Sequence, residues 1–75
     1  MKRYVAGRVV LVKHDGSSQE WTIQNSGDDD MSHITEVFET SKVLCRQELS
    51  EGGTLYLYNG DRKLLREVRG WAGAR

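Results

Sequence analysis

Apolar and polar residues alternate near both ends of this chain and recur at helical spacing through its middle. Near the N-terminus, Arg8-Val9-Val10-Leu11-Val12-Lys13 leads through Asp15-Gly16 into Gln19-Glu20-Trp21-Thr22-Ile23. Near the C-terminus, Thr54-Leu55-Tyr56-Leu57-Tyr58 leads through Asn59-Gly60 into Lys63-Leu64-Leu65-Arg66-Glu67-Val68. Val, Ile, Tyr, Trp and Thr fit a pleated, half-buried surface. Asp-Gly and Asn-Gly favour a two-residue type I′ turn, because both of its central residues take positive φ. Each end of the chain therefore predicts a β-hairpin.

Residues 33–50 have a different period. At about 100° per residue, Ile34, Val37, Phe38, Ser41, Leu44, Cys45, Glu48 and Leu49 fall on one arc of roughly 140°. Thr35, Glu36, Glu39, Lys42, Arg46 and Gln47 fall opposite, with Val43 the only apolar residue among them. Asp28, Asp29, Asp30 and Ser32 stand where acids and an N-cap belong, and Gly52-Gly53 supplies a stop. The spacing predicts a helix, although the β-branched content also permits a short strand over residues 34–38.

The expected order is β-β-α-β-β. This is an α+β domain of two layers, an antiparallel four-stranded sheet with one helix on one face. Residues 1–75 make one small binding domain. Two-residue turns set the expected register and so the expected faces. They place Val10 opposite Trp21 and Val12 opposite Gln19, with Val10, Val12, Trp21 and Ile23 on one face. In the second hairpin they place Leu55 opposite Leu64. If the helix covers the Val10/Trp21 and Leu55/Leu57 side, then Val10, Val12, Trp21, Ile23, Phe38, Leu44, Leu55 and Leu57 form the core. Val5, Val9, Leu11, Tyr56, Tyr58, Leu65 and Trp71 are left on an open face.

Charge refines this picture. Eleven basic and eleven acidic residues cancel, but residues 1–15 and 61–75 are each net +3 while residues 26–51 are net −5. A neutral total argues against indiscriminate nucleic-acid binding. No apolar run approaches the ~20 residues of a membrane span, and Val9–Val12 is too short for a signal peptide. The lone Cys45 cannot form an internal disulfide, which fits a cytoplasmic setting.

Catalytic candidates are weak. A reactive thiol needs a stabilised thiolate, whereas Cys45 falls on the apolar arc near the helix C-terminus, far from that condition. With one cysteine and only His14 and His33 beside it, a structural zinc site is not expected. Asp28-Asp29-Asp30 lacks the alternate spacing and central glycine of a calcium loop, and no phosphate-binding glycine motif occurs. The sequence implies no enzyme, cofactor, metal or small-molecule substrate.

What remains is binding. The expected function is that of a non-enzymatic protein-binding domain, a small regulator, inhibitor or subunit, acting through the open sheet face. A second copy of the chain is among the partners considered. The expected contacts are Val9, Leu11, Tyr56, Tyr58, Lys63, Leu65, Arg69 and Trp71. Two alternatives stand beside it. Tyr and Trp rings next to Lys and Arg could stack and hold single-stranded nucleic acid, and the acidic patch Asp28, Asp29 and Asp30 could mimic nucleic-acid phosphate.

Overall fold

A computed structural model describes residues 3–27 and 29–70. Strands β1 (Val5–Val12) and β2 (Ser18–Gln24) precede helices α1 (Asp30–Leu44) and α2 (Arg46–Ser50), and strands β3 (Thr54–Asn59) and β4 (Leu64–Arg69) follow. All four strands lie antiparallel in one open sheet, in the order β2-β1-β3-β4. The α+β, two-layer architecture is the one the patterning implies. Long-range β1–β3 pairing joins the two hairpins at the centre of the sheet, with Val9 opposite Leu57 and Leu11 opposite Leu55.

The helix starts earlier than periodicity suggested. Asp29 is its N-cap, and one carboxylate oxygen accepts from the Met31 and Ser32 backbone N–H groups at 3.1 and 3.4 Å. The other carboxylate oxygen accepts from the Ser32 hydroxyl at 2.8 Å. These bonds hold the Asp29 carboxyl below its ordinary pKa, the Ser32 hydroxyl contributing most. At Cys45 the helix breaks (φ −98°, ψ 19°) and restarts as the one-turn α2. Leu44, expected in the core, lies inside α1 on the flank of the buried stripe of Ile34, Phe38, Ser41 and Cys45, and is 77% exposed. Past α2, Gly52 N–H donates to Leu49 C=O and Gly53 N–H to Glu48 C=O. This crossed pair satisfies the last carbonyls and ends the helix.

Both hairpin loops are one residue longer than a type I′ turn. In the first, Gly16 N–H donates to Lys13 C=O and Lys13 N–H donates to Ser17 C=O, so the loop is His14-Asp15-Gly16. Gly16 takes φ +92°, the left-handed residue of a three-residue loop. Asp15 locks the far side by accepting from both the N–H and the hydroxyl of Ser17. In the second, Arg62 N–H donates to Asn59 C=O and Asn59 N–H to Lys63 C=O. The loop is Gly60-Asp61-Arg62, and the left-handed position is filled by Arg62 at φ +66°. Gly60 is required for another reason: a Cβ there would lie 2.5 Å from the Val5 carbonyl oxygen.

The extra residue in the first loop changes the faces. Val10 pairs with Glu20 and Val12 with Ser18, not with Trp21 and Gln19. A one-residue slip sends every side chain of a strand to the other side relative to its partner. The core under α1 is therefore Val9, Leu11, Leu55, Leu57 and Ile23 from the sheet, with Ile34, Phe38 and Cys45 from the helical segment. Val9 and Leu11, expected on the open face, are 0% and 1% exposed. Val10 and Val12 leave the expected core for the opposite face, where each is half-buried. Trp21 and Ile23 stay on the helix side, Trp21 half-buried at its margin.

The second hairpin departs further. Leu55 pairs with Val68, not Leu64, and the register shifts between Leu57 and Tyr58. The three-residue loop, which sets Asn59 opposite Lys63, exchanges the faces expected for two leucines, and the bulge leaves Leu65 without a cross-strand partner. Leu64 lies opposite Tyr58 and is exposed, while Leu65, expected on the open face, packs against the core. Beyond the bulge the expected parity returns, so Arg69 shares the face of the tyrosines and Arg66 does not.

Candidate functional site

The face of the sheet away from α1 is built by alternation. Leu55 and Leu57 point into the core, so Tyr56 and Tyr58 point the other way. Their rings lie 6.3 Å apart between centroids, tilted by 36°. Cross-strand register places Val10 beside Tyr56, Arg8 beside Tyr58 and Val12 beside Thr54. On β2 the same face carries Glu20 opposite Val10 and Thr22 opposite Arg8. On β4 it carries Glu67 opposite Tyr56 and Arg69 opposite Thr54.

The centre of this face is apolar and aromatic, and its margins are charged in pairs. Val10, Val12, Tyr56 and Tyr58 are each half-buried by their neighbours. On one side Arg8 Nε stands 3.4 Å from Glu20 Oε2, with the Arg8 side chain only 17% exposed. On the other, Arg69 Nε donates to Glu67 Oε2 at 2.7 Å. Arg8, Val10, Glu20, Tyr58 and Arg62 surround a shallow cavity of about 230 Å³ at the β2 side of the face. The left-handed backbone of Arg62 sets its side chain at the rim of that cavity, and no ion pair holds it among the described residues.

Of the contacts expected from sequence, the structure brings Tyr56, Tyr58 and Arg69 together on this face, with Lys63 exposed in the adjoining turn. It removes Val9, Leu11 and Leu65 to the core side. Trp71 and Asp28 lie outside the described residues. Arg8, Val10, Val12, Glu20 and Arg62 belong to the face but were not anticipated. For the four on β1 and β2 the signal was present in His14-Asp15-Gly16-Ser17, where Asp two residues before Ser and Gly at the third loop position mark a three-residue hairpin.

The remaining candidates are occupied in the fold. Asp29 caps α1, and the Tyr4 hydroxyl donates to the Asp30 carboxylate, so these two members of the acidic patch serve the start of the helix. That contact raises the Tyr4 hydroxyl pKa. Cys45 is buried, and burial followed by the neighbouring Glu48 charge pushes its thiol up. A thiol held in that form is a poor nucleophile. Among the described residues no group of three or more His, Cys, Asp or Glu could hold a metal ion. No helix among them is long and apolar enough to cross a membrane.

Comparison of the chain with protein-family models, with curated proteins and with solved structures gave no match. The face itself is therefore the guide to function.

Proposed function

We propose that this chain is a non-enzymatic protein-binding domain, a small regulator, inhibitor or subunit, which docks a partner protein on the helix-free face of its sheet. The carrying observation is the layout of that face: Val10, Val12, Tyr56 and Tyr58 at the centre, flanked by the Arg8–Glu20 and Arg69–Glu67 pairs. Protein interfaces have this anatomy, with an apolar, aromatic centre and a polar rim. A cytoplasmic setting goes with the reading, because the one cysteine is a buried thiol.

Single-stranded nucleic acid is the second reading, favoured by adjacent Tyr56 and Tyr58 near Arg8, Arg62 and Arg69. It ranks lower because Arg8 and Arg69 each already face a carboxylate, which a phosphate would have to displace. The acidic-mimic reading ranks lower still, since Asp29 and Asp30 are engaged at the start of α1.

The test pairs capture with a face variant. A protein that co-purifies with the tagged chain is titrated against wild type and Tyr58→Ala. One central tyrosine worth about 2 kcal/mol predicts roughly 30-fold weaker binding with the folded far-UV spectrum retained. Unchanged affinity would reject the face. Saturable binding of single-stranded oligonucleotides that falls steeply with salt would transfer it to nucleic acid.

A further inference from the structure

The two edges of the sheet are built differently. β4 carries Arg66, Glu67 and Arg69 among its six residues, and its ladder is bulged at Leu65. Charge and bulges both discourage another strand from pairing with an edge. β2, Ser18-Gln19-Glu20-Trp21-Thr22-Ile23-Gln24, has neither protection. It contains no lysine, arginine, proline or glycine, and the irregularity in its ladder sits across from it in β1, at Ala6. Its single charge, Glu20, is drawn back over the sheet face towards Arg8 at 3.4 Å. The outer edge thus carries no cation, and its middle, Trp21-Thr22-Ile23, is made of strand-forming residues.

The hydrogen bonding shows which groups face outward. Lys13 N–H donates to Ser17 C=O and Asn25 N–H to Tyr4 C=O. Antiparallel alternation then turns the backbone groups of the odd-numbered β2 residues towards β1. Those of Ser18, Glu20, Thr22 and Gln24 turn away from the sheet, and no described strand lies beyond them. The helices pack over β1 and β3, so Trp21 is half-buried at an unroofed margin of the core.

We propose that β2 pairs antiparallel with β2 of a second copy about a two-fold axis at Trp21, joining two four-stranded sheets into one of eight strands. The register follows from the side chains. Keeping both helices on one side requires residues of like parity to face each other. An axis at Glu20 would set two carboxylates directly opposite, which is unfavourable. An axis at Trp21, the midpoint of Ser18–Gln24, pairs the whole strand. It sets Glu20 opposite the partner's Thr22 and Ser18 opposite the partner's Gln24. All the outward N–H and C=O groups then meet in hydrogen-bonded pairs. Trp21 meets the partner's Trp21 in a non-hydrogen-bonded pair, where side chains approach more closely, and the exposed margin of each core is covered. The pairing is independent of the docking face, which it would extend across both copies.

Thr22 is the residue to change. Its N–H points outward, so Thr22→Pro removes an intermolecular donor without breaking a bond to β1. The two-fold axis doubles that loss, and the dimer dissociation constant should rise roughly 10- to 100-fold. Thr22→Glu places a carboxylate opposite the partner's Glu20, twice per dimer, and should weaken it several-fold, most strongly at low salt. Within one chain the new carboxylate lies across from Arg8, so the monomer should keep its fold by far-UV circular dichroism. Sedimentation equilibrium from about 10 µM to about 1 mM covers the range of a small interface of this kind. The expected result is a dimer for wild type and a shift to monomer for both variants. A wild-type chain that stays monomeric throughout, including one that pairs only with a strand of a different protein, overturns the proposal. So does a dimer that both variants leave unchanged, or open-ended polymerisation through β4.

Discussion

Val9→Ala and Val10→Ala delete the same atoms from adjacent residues of β1, yet the structure assigns them different costs. Val9 is 0% exposed, between Trp21 and Leu57 in register and beneath α1. Removing two buried carbons loses about 1.6 kcal/mol of transfer free energy. Incomplete collapse around the gap adds about 1 kcal/mol, giving a total near 2.5 kcal/mol. Val10 lies on the other face, half-buried with no layer above it. No closed cavity forms there, and truncation should cost about 0.5–1 kcal/mol. The lower strand propensity of Ala applies to both sites and cancels in the comparison. The difference of about 1.5–2 kcal/mol corresponds to roughly 10 °C in melting temperature for a domain of this size. Urea titrations followed by circular dichroism, with a common m-value, would measure it. Equal costs, or a greater cost at Val10, would refute the three-residue loop and restore the register in which Val10 faces Trp21.

Three further outcomes follow from the packing, the helix cap and the buried thiol. Gly70→Ala should be much more damaging than Gly16→Ala in the same titration. A Cβ at Gly70 would run into the backbone carbonyl oxygens of Leu49 and Gly53, whereas at Gly16 it meets open space and the cost is the left-handed backbone alone, about 1 kcal/mol. The lowered Asp29 and Asp15 pKa values favour folding above their ordinary value of 3.8, and this contribution should disappear as acid titrates the folded carboxylates. Acid titration of the urea midpoint should therefore fall less steeply for Asp29→Asn than for wild type, and parallel curves would contradict the capping role. Cys45 should react with iodoacetamide far more slowly in the folded chain than in urea at mildly alkaline pH, because burial and Glu48 both oppose the thiolate.

Much of the architecture was legible in local sequence. Strand-forming alternation, the Asp-Gly and Asn-Gly turns, the acids before α1 and the glycines after α2 are all short-range signals, and each led to an element of the right type and order. Tyr56 and Tyr58 could be set opposite Leu55 and Leu57 by parity alone. Phe38 and Cys45 could be placed in the core by helical spacing, as could Ile34. Leu44 could not, because the stripe that meets the sheet, Ile34, Phe38, Ser41 and Cys45, is narrower than the apolar arc, and Leu44 sits about 90° round the helix from its middle. Asp29 took the cap for the same kind of reason: several acids and a serine compete at a helix start, and only one has the geometry to reach the free N–H groups.

By itself the sequence determined what each segment is, because a strand, turn or helix end depends on neighbours within a few residues. Which side of the sheet each strand shows to the helix was decided only by tertiary structure. That outcome turns on a third loop residue held by Asp15 and Ser17 and on a bulge at Leu65. Side chains alternate with period two along a strand, so each such residue reverses a face, and cross-strand hydrogen bonding and burial under α1 select among registers that the pattern leaves equivalent.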